Sequence, residues 1–392
     1  MKYIFILGNN PRLSVAEIKA VLPQGKIIDS GQQFLILDHE KFDCQEILNH
    51  LGGTVKIGIV FGKKIDEGAV LGSAMSIEAG KRYNFGFSFY SQKSSGIGMR
   101  LKGRLKEKGI SARLVTSREA ALSSVIVKKE KCHDFLVLPG WFGQTCAVQE
   151  FEQYSRLDYG RPASDALSGM LPPKLAKMMI NFSEAKSAEI LLDPFCGSGT
   201  IISQAVEMGF QNLIGSDISD KAVADTKRNI EWLMEKLQKP NPNDQINQNF
   251  KIPKAGWINN KLVIGHWSLV ILKSDINELS QSIKASSIDT IVTEPYLGPP
   301  LRGGENEEQI KKIKSNLEKL YLSAFNQFKI VLKRGGRIVI VFPQWHLRGK
   351  IFDLNLEDKI TRLGFKRLDQ GDLLYKRENQ KVWREILIWE KE

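Results

Sequence analysis

Cysteine and histidine are scarce: the 392 residues hold four of the one and five of the other. Cys44, Cys132, Cys146 and Cys196 form no C-x-x-C pair, so neither a zinc ribbon nor a disulfide framework is implied. The histidines are dispersed, and no metal is expected. Long apolar runs are missing too. A membrane helix needs roughly 20 apolar residues, whereas the N-terminal run Tyr3-Ile4-Phe5-Ile6-Leu7 stops at Asn9-Asn10-Pro11 and is too short for a signal segment. These absences point to a reduced, cytoplasmic, soluble protein with no membrane partner and a monomer as the default.

What is present is an ordinary globular composition, 42% hydrophobic and 26% charged, on a chain long enough for two or three domains. The net charge of +12 favours an anionic partner such as nucleic acid. The excess is local: residues 81–131 hold 13 Lys/Arg against 3 Glu. Its densest part carries Arg100, Lys102, Arg104, Lys106 and Lys108, with Arg113 just beyond. Ile97, Leu101 and Leu105 recur every four residues, so one helix face is apolar and the cations lie elsewhere on it. Such a face can neutralise phosphates without reading bases.

The first 62 residues read as strand Tyr3–Leu7, helix Ser14–Leu22, two strands, a helix over Phe42–Leu51 and strand Val55–Phe61, the βαββαβ order of a ferredoxin-like unit. Ser14 with Glu17 forms a capping-box pattern for the first helix. Residues 63–150 form a second α+β segment and 151–163 an ordered connector. From 164 to 392 strand alternates with helix, which predicts a doubly wound parallel sheet ending in an antiparallel hairpin, about Leu373–Lys376 with Val382–Trp389. Residues 239–261 are rich in Asn and Pro and read as a polar surface insertion.

The chemistry gathers at strand ends. Ile190-Leu191-Leu192-Asp193 runs into Pro194-Phe195-Cys196-Gly197-Ser198-Gly199 and then a helix from Thr200, a strand–turn–helix that sets a ligand over the strand's carboxyl end. Nicotinamide and flavin sites use a glycine turn too, but the third glycine of G-x-G-x-x-G is missing and Asp193 would repel a pyrophosphate. A carboxylate suits a cation, and S-adenosylmethionine carries a sulfonium and an ammonium. Asp217, followed by Ile218, ends the next strand and is placed for ribose hydroxyls; Asp275, followed by Ile276, is placed for the adenine amine. Further on, Thr293-Glu294-Pro295-Tyr296-Leu297 supplies an acceptor side chain, a proline carbonyl and a ring. That set can hold the protons of an exocyclic amine, localise its lone pair and fix the plane of a base. No nucleophile–base pair is evident around Cys196.

With these residues in place, the chain resembles the THUMP-domain RNA methyltransferases, above all the tRNA (guanine-N2) methyltransferases that act at the tenth nucleotide. The start, Tyr3 to Glu17, is similar to that family's ferredoxin-like domain, and residues 63–150 to its THUMP module, which the resemblance implies holds tRNA. Tyr159-Gly160-Arg161-Pro162 with Gly169-Met170-Leu171-Pro172-Pro173 resembles the motif that helps enclose the methionine moiety. Asp193–Thr200 and Gly215-Ser216-Asp217 resemble the cofactor loop and the ribose-binding strand end. The departure is the acceptor motif: the usual Asp/Asn/Ser-Pro-Pro-aromatic is here Glu294-Pro295-Tyr296-Leu297. The reading is therefore a tRNA methyltransferase that uses S-adenosylmethionine on an exocyclic amine, with guanosine N2 first. A DNA adenine or cytosine amino-methyltransferase is the nearest rival, and a non-catalytic RNA-binding protein with a relict cofactor fold the rival from another class.

Overall fold

A computed structural model describes residues 1–76, 82–90, 96–150, 160–163, 170–238, 257–258, 260–264, 267–301, 304–347, 349–376 and 380–392. It divides into two compact units, Met1–Gln153 and Tyr154–Glu392. Most of the 151–163 connector and of the 239–261 insertion lies outside the described residues, as do Tyr159 and Gly169.

In the first unit the elements are β1 (Lys2–Leu7), α1 (Pro11–Val21), β2 (Lys26–Ser30), β3 (Phe34–Asp38), α2 (Cys44–His50), β4 (Thr54–Gly62), α3 (Glu67–Met75), β5 (Tyr83–Phe89), α4 (Ile97–Glu107), β6 (Ala112–Val115), α5 (Ser124–Lys129), β7 (His133–Leu138) and β8 (Trp141–Val148). They build one eight-stranded sheet in the order β2-β3-β1-β4-β8-β7-β5-β6. The βαββαβ beginning is present, and β4 pairs antiparallel with β8, so residues 1–62 and 63–150 share this sheet. The apolar stripe of α4 is buried as its spacing demands: Ile97, Leu101 and Leu105 enter the core with Tyr83, Phe85 and Phe135.

Two sequence expectations change here. Ser14 and Glu17 are not a capping box. Pro11, whose fixed φ and missing N–H suit a first turn, starts α1 three residues earlier after Asn10. Ser14 and Glu17 then face inward, where Ser14 Oγ donates to Gly53 O (2.7 Å) and the Glu17 carboxylate accepts from Gly52 N and Gly53 N (2.7 and 2.8 Å). They pin α1 to the Gly52-Gly53 turn. Cysteine spacing implied no disulfide, yet Cys44 and Cys146 are bonded, with Cα atoms 6.1 Å apart across 102 positions of sequence. Pairing of β4 with β8, and packing of α2 on both, brings together residues that spacing could not relate.

In the second unit the elements are α6 (Pro173–Phe182), β9 (Ile190–Asp193), α7 (Thr200–Glu207), β10 (Asn212–Asp217), α8 (Asp220–Gln238), β11 (Trp257–Ile258), β12 (Lys261–Ile264), β13 (Trp267–Lys273), α9 (Leu279–Ser282), β14 (Ile288–Thr293), α10 (Glu307–Val331), β15 (Leu332–Leu347), β16 (Lys350–Phe352), α11 (Glu357–Arg362), β17 (Phe365–Leu368), β18 (Leu374–Tyr375) and β19 (Val382–Lys391). The sheet runs β11-β12-β13-β10-β9-β14-β15-β19-β17. Strands β13, β10, β9, β14 and β15 are mutually parallel, while β19 pairs antiparallel with β15, β17 and β18. This is a Rossmann-like doubly wound sheet with an antiparallel C-terminal edge. The expected hairpin is there as β18 with β19; β17, too polar to read as a strand, joins the sheet beyond it.

Leu191, Leu192, Ile291 and Val292 on the central strands β9 and β14 are completely buried, as a parallel sheet covered on both faces requires. Helix α10 opens with a true capping box between Asn306 and Gln309 and buries Leu317, Tyr321, Ala324, Phe325 and Phe328 along one stripe. The segment from Gln344 continues β15 to Leu347 and leads into β16; Arg348 lies outside the described residues.

Candidate active site

The chain winds from β9 outward to β10 and β13 on one side and to β14 and β15 on the other. The switch point of the sheet therefore lies between β9 and β14, where ligands bind over the carboxyl ends of strands. A cleft of roughly 550 Å³ opens there, lined by Met170, Leu171, Asp193 to Ser198, Thr200, Asp217, Ile218, Asp275, Ile276 and Glu294 to Gly298 among others. Asp193 to Ser198, Thr200, the Asp217 and Asp275 strand ends and Glu294 to Tyr296, all singled out on sequence, line it, whereas Gly199 does not. That glycine sits at φ +81° before α7, and a Cβ there would lie 2.8 Å from Thr226 Cγ2 on α8. Gly199 serves close packing behind the loop, while Gly197 (φ +54°) has open space on its Cβ side.

Asp193 is buried. Its Oδ1 accepts from Thr293 Oγ1 (2.7 Å) and Phe195 N (3.2 Å), and no cation partners it among the described residues. Burial first, and the nearby Asp217 and Glu294 charges after it, push its carboxyl up to about 7 against those two hydrogen bonds. Asp217 closes the loop by accepting from Gly197 N (3.0 Å) and Ser219 N (2.9 Å). Asp275 caps the short 3-10 turn Ile276–Glu278 by accepting from Asn277 N (2.9 Å). Both carboxylates thus have a local job as well as a place in the cleft. The Cys196 thiol is held protonated, well above its usual range, chiefly by burial.

Several supporting residues, Arg161 apart, carried no sequence signal. Asn229 on α8 donates to Ala163 O and Ser198 O (2.9 and 2.8 Å) and accepts from Ala163 N (3.0 Å), tying the segment before α6 to the glycine loop. Thr226 Oγ1 donates to Gly197 O (2.8 Å). Arg161 reaches both Thr200 Oγ1 (2.8 Å) and Met170 Sδ (3.4 Å). Helix α6 begins at Pro173, because the Pro172-Pro173 pair places the extended-to-helical change there, and Met170 and Leu171 line the cleft just before it.

At the other end, Glu294 follows β14 and is 13% exposed. Arg384, 7% exposed and on β19, donates from Nε to Glu294 Oε1 at 2.5 Å. Burial raises the Glu294 carboxyl above the usual range, and the guanidinium opposes it. The Tyr321 hydroxyl, held neutral by burial and by the Glu294 charge, donates to Val341 O (2.9 Å). Tyr296, by contrast, is 57% exposed, a ring free on the cleft wall. Nothing in the one-dimensional pattern linked Arg384 to Glu294, 90 residues away.

Residues 163–361, just over half of the chain, match the family described as UPF0020, RMKL-like methyltransferase domain. The chain belongs to that family. The RMKL-like domain thus spans the β9–β15 core and the whole cleft up to Glu294-Pro295-Tyr296. A tRNA (guanine(10)-N2)-dimethyltransferase of Methanothermobacter thermautotrophicus is 27% identical over 178 residues, 45% of this chain and 40% of that protein. A probable tRNA (guanine(10)-N2)-dimethyltransferase of Methanothermococcus thermolithotrophicus is 30% identical over 166 residues, 42% of this chain and 77% of that protein. The alignment thus spans well under half of the first relative's length and about three quarters of the second's. The crystal structure of TrmN from Thermus thermophilus covers 100% of both chains with a TM-score of 0.51 at 15% identity, a likeness of fold.

In the first unit, the six basic residues singled out on sequence divide in two. Arg100 and Arg104 both pair with Glu67, and Arg113 pairs with Glu130 (2.7 Å). Lys102, Lys106 and Lys108 meet no carboxylate among the described residues. Exposed ion pairs of this kind contribute little, about 0–1 kcal/mol, so the arginines remain exchangeable toward phosphate. No helix among the described residues is long and apolar enough to cross a membrane, and no metal-ligand cluster occurs among them.

Proposed function

We propose that this protein transfers a methyl group from S-adenosylmethionine to the exocyclic N2 amine of a guanosine in tRNA. The observation that carries the reading is Glu294: a largely covered strand-end carboxylate paired with Arg384, followed by Pro295 and the exposed Tyr296 ring, in the same cleft as three acidic strand ends. The residues suit the cofactor. Asp193 is a buried carboxylate with no cation among the described residues, the chemistry that a sulfonium or ammonium would complete, and the Gly197 loop with Asp217 and Asp275 offers backbone and acceptors beside it. When bound, S-adenosylmethionine supplies an electrophilic methyl group.

The chain's own part is to present the amine. Guanine shows two donors side by side on its pairing edge, N1–H and the N2 amine, which an ionised carboxylate can accept. Adenine and cytosine set a ring-nitrogen lone pair beside their amine, and a fixed negative charge repels it. Glu294 and the Pro295 carbonyl hold the amine protons, so that nitrogen electron density is freed for attack, and Tyr296 stacks on the base. The names of the two archaeal relatives agree with guanine N2. We assign RNA holding to the first unit as a THUMP-like module acting through Lys102, Lys106, Lys108 and the exchangeable Arg100, Arg104 and Arg113, and place the enzyme in the cytoplasm.

The test is incubation of unmodified tRNA with protein and S-adenosylmethionine, followed by nucleoside mass spectrometry. Methylated guanosine should appear with wild type and vanish with Glu294→Ala. Methylation of adenosine, or a Glu294→Ala product level equal to wild type, would overturn the assignment.

A further inference from the structure

We infer that Arg384 is a positioning residue for this reaction: it holds one oxygen of Glu294 and leaves the other as a fixed, ionised acceptor for the amine. The inference rests on the reading just given. Arg384 comes from β19, opposite Pro343 in the antiparallel register with β15, and so reaches the end of β14 from two strands away. Its Nε lies 2.5 Å from Glu294 Oε1. Oε2 has no partner among the described residues.

Two features of Glu294 require such a partner. Its side chain has one more rotatable bond than the Asp or Asn usual at this place, so more conformational freedom must be removed before it can aim. It is also largely withdrawn from solvent, and a desolvated carboxylate tends to take up a proton. The groups facing it are Arg384 from β19, the neutral Tyr321 phenol from α10 and the Asp193 carboxyl from β9. Among the described residues, only Arg384 favours the charged form. A protonated Glu294 would present a hydroxyl donor to an amine that is itself a donor, and the hydrogen bond that frees the nitrogen lone pair would be lost. The longer carboxylate and the arginine therefore work as a pair: the extra methylene lets Glu294 meet a cation that the sheet edge supplies.

The experiment measures tRNA methylation by the full chain, wild type, Arg384→Lys and Arg384→Gln, as kcat and KM between pH 5.5 and 9. For Arg384→Gln the expected result is a kcat about 100-fold lower at pH 7, the size typical of losing a preorganised polar contact. KM for both substrates should stay close to wild type, and the acid limb of the kcat profile should move to higher pH. Arg384→Lys should restore that limb. A merely structural role would lower the melting temperature without moving the limb. Wild-type kcat and an unmoved limb in a folded Arg384→Gln overturn the inference and leave the methyltransferase reading standing. If Arg384→Gln does not fold, Arg384→Lys decides: a kcat reduced at constant KM supports positioning, and an unchanged kcat overturns it. An inactive wild type removes both readings together.

Discussion

Asp193 makes the stability of the methyltransferase domain fall as pH rises, the reverse of the usual carboxylate. Its ordinary value is 3.8 and its buried value about 7. Between the two, the folded chain keeps a proton that the unfolded chain has released, so stability drops by up to about 1.4 kcal/mol per pH unit. The contribution is fully present below about pH 4 and gone above about pH 7. A difference of about three units amounts to roughly 4 kcal/mol. Asp193→Asn removes the charge and keeps an oxygen for Thr293 Oγ1 and Phe195 N. It should therefore be more stable than wild type by up to about 4 kcal/mol above pH 7, with the gap closing toward pH 4. Urea denaturation of both proteins at half-unit pH steps reads the gap directly. A bound cation reverses the cost, so Asp193→Asn should bind S-adenosylmethionine more weakly. Wild-type binding near pH 6.5 should release a proton, visible as a buffer-dependent binding enthalpy. A stability gap that does not change with pH, or equal affinity of the two proteins at pH 8, refutes the reasoning.

Gly199→Ala forces a Cβ into the left-handed region and against Thr226, so about 1–2 kcal/mol of strain is joined by displacement of the group that holds Gly197 O. Cofactor affinity should fall, whereas Gly140→Ala, also left-handed but with nothing within 4 Å, should cost stability alone, as thermal melts and calorimetry will separate. In the first unit, Lys56 is buried with its Nζ on Asp134 (2.5 Å), Leu122 O (2.7 Å) and Ser88 Oγ (3.1 Å). Lys56→Met leaves Asp134 charged and uncompensated, which should cost about 3–5 kcal/mol in denaturant unfolding; the double variant with Asp134→Leu should recover most of it. Each alanine at Lys102, Lys106 or Lys108 should lower the slope of log affinity for tRNA against log salt by about 0.7–0.9. Arg113→Ala, relieved of its pairing with Glu130, should change it less. Equal slopes for wild type and the triple lysine variant would remove α4 from the interface.

The sequence carried the parts of the fold that depend on local pattern. Alternating strand and helix from residue 190, the glycine turn after Asp193 and the four-residue spacing of Ile97, Leu101 and Leu105 each have a short-range physical cause, and each stands in the structure. What did not show depends on distant pairing. Ser14 and Glu17 have the composition of a cap, but Pro11 starts the helix and a turn 35 to 39 residues away takes their hydrogen bonds. Strand β17, Phe-Lys-Arg-Leu, has one buried residue in four and joins the sheet because β19 offers an open edge. Arg384 looks like any charged residue until register brings it to the end of β14.

Asp193 ends β9 and Glu294 follows the adjacent parallel strand β14; Asp193 is buried and Glu294 largely so, and loss of solvent pushes both toward the neutral form. The domain treats them differently. Glu294 receives Arg384 from the edge of the sheet, which favours its ionised form; Asp193 receives two hydrogen bonds and, among the described residues, no cation, so its charge waits for a ligand. On the proposed chemistry the order makes sense. The acceptor carboxylate must already be charged when the base arrives, while the cofactor carboxylate gains by being neutralised on binding. Because each negative charge raises the other's affinity for a proton, a cation beside Asp193 also favours ionised Glu294. Cofactor binding and readiness of the acceptor side are then linked, and by thermodynamic reciprocity an ionised Glu294 favours the cofactor's cation by as much as that cation favours ionised Glu294.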